Sequence, residues 1–204
     1  PADAPDRFVI NIQPDQRERL AGLFIAQGLP APAFQPMIRG RWIEHNGREV
    51  EPKTYADERA RRLAEREFNL SFGDILRRDN RLLSGKPLDG SSGWSVEEGL
   101  AKRLGIRIGD RLAFDVAGTR IEAPVRNLRA VDWDSFRVNF FVTGNATMLS
   151  DMPASLITSF YLPPAQKAGA AAGEVAGSGA GTGTRDGAGV AAGYVSLLRD
   201  ARYV

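Results

Sequence analysis

His45 is the sole histidine of this 204-residue chain, so any chemistry that needs an imidazole must use it. It sits beside Asn46-Gly47, a strong hairpin-turn signal, and reads as a polar turn residue. A hydrolase needs a nucleophile, a base and an orienting acid. Gly90-Ser91-Ser92-Gly93 has the wrong spacing for a nucleophile elbow. Asp132 and Asp134 flank Trp133 and could form a carboxylate pair or a weak calcium site, but no loop of the right pattern supplies further oxygen ligands. At a strand end the two would simply cap a turn. A hydrolase built on His45, Asp132 or Asp134 therefore lacks a complete set of groups. Gly177, Gly179, Gly181 and Gly183 alternate, yet they complete neither nucleotide-binding register, and no strand runs directly into them. With no cysteine, disulfides, thiolate zinc sites and cysteine nucleophiles are excluded. The expectation is a chain with no catalytic residue, no cofactor and no metal.

A cluster of aromatic residues offers recognition instead. Trp133, Phe136, Phe140 and Phe141 lie close in sequence, with Phe160 and Tyr161 further on. Core packing accounts for at least half of them. Phe140 and Phe141 are adjacent, so on a strand they face opposite sides, and one must look away from a one-sided core. Trp133, Phe136, Arg137 and Phe140 are the candidate surface for a partner or an apolar ligand.

Composition is that of an ordinary globular protein, with 43% hydrophobic and 25% charged residues. The 27 basic residues are nearly matched by 25 acidic ones. Arg59, Arg61, Arg62 and Arg66 are interleaved with Glu58, Glu65 and Glu67, as on a solvated helix face. Nucleic-acid binding needs clustered cations and is not expected. The chain opens at Pro1 with no Met, leader or transmembrane run, and reads as a fragment of a longer protein.

The elements that must position these residues follow from periodicity. Phe8–Ile12 is a strand, and a helix from Pro14-Asp15 carries Leu20, Leu23 and Phe24 until Gly28. Phe34–Trp42 is a second strand, followed by the Asn46-Gly47 hairpin. Tyr55–Glu67 is helical, and Phe68–Phe72 alternates as a half-buried strand does. Asn80–Gly90 reads as loop. Ser95 with Glu98 has the capping-box pattern for a helix that stops at Gly105. Alternating segments at 111–116, 120–125, 127–133 and 139–143 predict a small antiparallel barrel or sandwich. Ser155–Leu162 is a further strand. About two-thirds of residues 167–193 are Gly or Ala, which predicts a flexible linker. An amphipathic helix follows from Tyr194.

Val131-Asp132-Trp133-Asp134-Ser135-Phe136-Arg137-Val138-Asn139-Phe140-Phe141 resembles a signature in permease subunits of FtsX/MacB-type ABC exporters, in the YbbP-like branch. Phe8–Gln16, Asn80–Gly85, Ser95–Gly105, Gly109–Leu112 and Ser155–Phe160 are similar to stretches that occur there in the same order. The Gly/Ala segment after Gln166 departs from that pattern. The resemblance implies an α+β fold: a strand–helix–strand subdomain formed by both chain ends, with an inserted small β-rich subdomain. The expected halves of the membrane-proximal subdomain are 7–51 and 155–204, the latter interrupted by the linker 167–193. The insert is 54–150, with two helices. The resemblance further implies a periplasmic domain of a bacterial inner-membrane permease with membrane-embedded flanking segments. A cytoplasmic ATP-binding subunit would be its partner, and lipid-like envelope compounds its cargo. A secreted or periplasmic esterase is a possible second partner.

Overall fold

The computed structural model describes residues 4–73 and 75–164. The Gly/Ala linker expected at 167–193 and the helix expected from Tyr194 lie outside the described residues. Contacts divide the chain into two compact units.

Among its described residues, the first unit comprises 4–35, 133–138 and 156–164. Strand β1 (Arg7–Ile12) pairs antiparallel with β10 (Ser155–Phe160) from the other end of the chain. The ladder is irregular between Val9 and Ile12, where Asn11 takes a left-handed φ of 56°. Asn tolerates that conformation because its short side chain bonds locally. Pro14 opens a short 3₁₀ turn that leads into helix α1 (Arg17–Ala26). Leu20 and Phe24 of α1 are buried with Ile12, against Val9, Leu29, Phe34, Leu156 and Phe160. Phe24 meets Phe160 edge-on at 4.7 Å. Thr158 Oγ1 donates to the Ala33 carbonyl at 2.7 Å and ties the post-helix segment to β10.

The second unit comprises 36–132 and 139–155. Its strands are β2 (Gln35–His45), β3 (Arg48–Glu49), β4 (Phe68–Phe72), β5 (Asn80–Gly85), β6 (Trp94–Glu97), β7 (Arg111–Val116), β8 (Thr119–Val131) and β9 (Val142–Gly144). Its helices are α2 (Glu58–Glu65), α3 (Glu98–Leu104) and α4 (Ala146–Leu149). Six strands close into a barrel in the order β2, β4, β9, β6, β8, β7 and back to β2. Two pairs are parallel, β4 with β9 and β6 with β8, so the barrel is mixed rather than antiparallel. Closure leaves no free edge among these six strands.

Two long strands turn the corners. The first part of β2 pairs with β4 and the second with β7, with a register shift between Trp42 and Glu44. Strand β8 pairs first with β7 and then with β5, while β6 runs beside it. Bulges of this kind let a strand bend without ending. Ile38, Trp42, Phe68, Leu70, Trp94, Val96, Leu112, Phe114, Val116, Ala123, Val125 and Val142 are buried in one apolar cluster. Helix α3 adds Leu100, Ala101 and Leu104 to it, and α2 adds Ala60 and Ala64.

This arrangement overturns the expected α+β fold of a strand–helix–strand subdomain with a small β insert. Strands hold 39% of the described residues and helices 24%, and the closed barrel dominates. Residues 80–85 form a ladder strand, not a loop. Segments 120–125 and 127–131 are one strand bent by a bulge. The Asn46-Gly47 turn stands as expected, with φ of 52° and 75°. Ser95 is not a helix cap: it lies on β6, and Glu97 caps α3 by accepting from the Leu100 N–H at 2.7 Å.

Candidate functional site

Two features of the chain could do more than fill space. The first is a buried polar node outside the apolar cluster. Register shifts between β6 and β8 place Val125 opposite Trp94 but Asn127 opposite Ser95. One extra residue flips which face a strand presents. Asn127 and Arg129 therefore share a face with Ser95 rather than with Trp94, and Arg129 is 1% exposed. Its Nε donates to Ser95 Oγ at 3.0 Å, Nη1 to Asn80 Oδ1 at 2.9 Å and Nη2 to the Phe140 carbonyl at 2.6 Å. Asn80 Nδ2 donates to Asn139 Oδ1 at 2.7 Å, and Asn139 Nδ2 donates to the Asp79 carboxylate. Ser95 Oγ also donates to Asn127 Oδ1. Beside them, Arg77 lies over the Phe140 ring at 5.1 Å and donates to Ser71 Oγ at 3.3 Å.

Burial pushes the Arg129 guanidinium down to about 10, and the nearby charge of Arg77 adds to that, while Glu97 and Asp79 oppose it. Burial likewise lowers Arg77, with Asp79 opposing. Arg129 stays protonated at neutral pH. The node is a set of fixed donors matched to fixed acceptors, which holds loops in place.

The second feature is the loop 133–138. Trp133 is 42% exposed and Phe136 57% exposed, and Arg137 is exposed beside them. Phe136 takes a left-handed φ of 55°, a costly conformation for a bulky residue. Of the four candidate surface residues, the loop holds Trp133, Phe136 and Arg137 together. Phe140 is 0% exposed and lies under Arg77. Asp132 and Asp134 are exposed at the same loop. The node itself escaped sequence reading; the one signal for it was the recurrence of Asn80, Ser95 and Asn139 within separate familiar stretches.

No family model matches the chain, and no solved structure matches it. A protein of Escherichia coli strain K12, described as "Uncharacterized ABC transporter permease YbbP", is 32% identical over 160 residues, 78% of this chain. The chain is an ABC-permease-like domain of the YbbP-like kind. It spans 19% of that relative's length. Among the described residues of this YbbP-like domain, no helix is long and apolar enough to cross a membrane.

Three of the stretches that carry the resemblance meet at the node. Asn80–Gly85 supplies Asn80, Ser95–Gly105 supplies Ser95, and 131–141 supplies Asn139 and the Phe140 carbonyl. Far apart in sequence, they meet at Arg129.

His45 belongs to a separate clasp. Its Nε2 lies 2.7 Å from Asp110 Oδ2, with both side chains mostly buried. Asn46 Nδ2 donates to Asp110 Oδ1 at 3.2 Å, and the Arg107 N–H donates to Oδ2 at 2.9 Å. Asn46 and Arg111 also exchange N–H bonds, which joins the β2–β3 turn to the turn before β7. Burial opposes ionisation of Asp110, but the His45 contact, the Arg107 N–H and the Asn46 amide outweigh it and hold its carboxyl below the usual value. Stability from a depressed carboxyl is present above the unfolded-state value of about 4 and is lost as pH falls through the folded value. Urea unfolding of the wild type should weaken more between pH 5 and 3 than that of Asp110→Asn. Parallel curves for the two proteins would contradict the clasp.

Proposed function

We propose that the chain is the extracytoplasmic domain of an ABC transporter permease subunit, coupling ATP-driven movement to export or extraction of hydrophobic, lipid-like envelope compounds. The observation that carries this reading is the 32% identity with an ABC transporter permease across 78% of the chain. The domain sits in the periplasm, between membrane-embedded flanking segments of a bacterial inner-membrane protein. ATP hydrolysis belongs to a separate cytoplasmic ATP-binding subunit, and this domain performs no catalysis. The test is extraction by the full-length permease and its ATP-binding subunit in liposomes holding a fluorescent long-chain acyl reporter. ATP should drive reporter loss from the bilayer, and a permease lacking residues 7–162 should lose that activity. Unchanged extraction without the domain would overturn the reading.

A second reading is favoured by the exposed, left-handed Phe136 beside Trp133 and Arg137. Trp and Arg are common among residues that dominate protein interfaces. On this reading the domain docks a secreted or periplasmic partner, such as an esterase, through that loop. Support for it is loss of capture of the purified esterase by Phe136→Ala with an unchanged melting temperature.

A further inference from the structure

The Asn46-Gly47 turn carries a latent reaction of its own. The backbone nitrogen of Gly47 can attack Cγ of Asn46 and close a succinimide ring. A bond forms between that nitrogen and Cγ, the Cγ–Nδ2 bond breaks, and ammonia leaves. The Gly47 amide proton passes to hydroxide, and water protonates the leaving nitrogen. Water then opens the ring at either carbonyl, giving aspartate or isoaspartate. Glycine suits the attacking position because it has no Cβ to obstruct the approach. Nothing lies within 4 Å of the place a Cβ would take at Gly47, and both residues are exposed, so water reaches the turn.

The clasp restrains the reacting carbon. Asn46 Oδ1 accepts the Arg111 N–H at 2.8 Å, and Asn46 Nδ2 donates to Asp110 Oδ1 at 3.2 Å. The Asn46 backbone N–H donates to the Arg111 carbonyl at 2.8 Å. Asp110 is itself braced by His45 Nε2 at 2.7 Å and by the Arg107 N–H at 2.9 Å. All these groups belong to the barrel unit. The carboxamide is thus fixed at both ends on residues 110 and 111. Attack needs the reacting atoms aligned within about 3–3.5 Å, and Cγ cannot rotate freely to meet the Gly47 nitrogen while both bonds hold. The two bonds have opposite electronic effects: the donor on Oδ1 makes Cγ more electrophilic, and the acceptor at Nδ2 makes it less so. Geometry therefore sets the rate.

We infer that Asn46 is a deamidation site guarded by its clasp with Asp110 and Arg111, and that its conversion unlocks the turn for good. The product has lost the Nδ2 donor and sets a second carboxylate against Asp110, where like charges repel. The isoaspartate form also adds a methylene to the main chain inside the β2–β3 turn. This role holds whatever cargo or partner the permease has.

Mass spectrometry of the tryptic peptide 42–48, in which Asn46 is the sole asparagine, follows the reaction at mildly alkaline pH. Each rate is divided by that of the same chain unfolded in urea, which cancels differences in intrinsic reactivity. Folded wild type should react at least about tenfold more slowly than its unfolded chain. Asp110→Ala should lose most of that protection while folded by circular dichroism. His45→Ala, which removes only the brace on Asp110, should lose part of it and serves where Asp110→Ala does not fold. A wild-type ratio near one, or a ratio unchanged in the folded variants, would overturn the guard. Asn46→Asp stands in for the product, since aspartate tolerates the left-handed backbone as asparagine does. It should lower the melting temperature by about 4 °C or more, and Asp110→Asn in the same chain should recover most of the loss. An unchanged melting temperature, or a loss that Asp110→Asn does not recover, would overturn the unlocking.

Discussion

Arg129→Met should lower the stability of the barrel unit by about 3 kcal/mol, read as a shift of the urea unfolding midpoint with an unchanged slope. Methionine follows the path of the arginine stem but supplies no donor. Ser95 Oγ, Asn80 Oδ1 and the Phe140 carbonyl would each lose the N–H they now accept. A buried acceptor left without a donor costs about 1–3 kcal/mol. Two effects hold the sum near the low end. Arg129 and Arg77 repel each other, and that repulsion would vanish. The guanidinium also no longer has to be held out of water, a burden large enough to push its value down to about 10. Arg129→Lys should rescue little, because a compact ammonium cannot reproduce three donors in a fixed planar fork. A loss below about 0.5 kcal/mol in Arg129→Met would mean that the node carries no stability.

Trp94→Ala should cost about 3–5 kcal/mol, the range for truncating a large buried aromatic ring. Trp94 is 0% exposed in the apolar cluster of the barrel. Its ring meets Phe114 at 4.9 Å, and its Nε1 donates to the Leu112 carbonyl at 3.0 Å. The ring also backs onto Gly144: a Cβ there would meet Trp94 Cζ3 at 3.0 Å and Leu149 Cδ1 at 3.1 Å. Removal of the ring opens a cavity between β6, β7 and β9 that these rigid strands cannot fill. Gly144→Ala should destabilise the wild type and be tolerated better in Trp94→Phe, where the smaller ring can give way. Equal effects in both backgrounds would break the proposed contact.

Local chemistry was legible where a single residue type dictates the backbone. Asn46-Gly47 made its turn, Gly105 ended α3, and Phe68–Phe72 formed its strand as the alternation required. Closure was not legible, because it depends on which strands pair. Parallel pairing of β4 with β9 joins residues about seventy positions apart, and nothing local encodes it. Pro124 and Arg126 made β8 look like two short strands, whereas a bulge near Arg126 lets it run on. Asn80–Gly85 has the composition of a loop, yet β8 supplies it with a ladder. That strong tertiary pairing overrode weak strand propensity.

The candidate site was half legible. Trp133, Phe136 and Arg137 are exposed on one loop, a grouping the sequence suggested by proximity alone. Arg129 could not be found that way. A charged residue in an alternating strand reads as solvent-facing, whereas Arg129 continues the buried alternation of Ala123, Val125 and Asn127. Ser95 misled for a related reason: Ser followed by Glu three residues on is a cap signal, but here the hydroxyl serves Arg129 and Asn127.

The proposed extracytoplasmic placement of this permease-like domain is tested most directly by chemical labelling in cells. The chain contains no cysteine, so Arg137→Cys on the exposed loop is a single reporter within it. It would be placed in the full-length permease, with any cysteines elsewhere replaced. A membrane-impermeant maleimide added to intact spheroplasts should label it as fully as after lysis. Labelling only after lysis would put the loop on the cytoplasmic side and contradict the account.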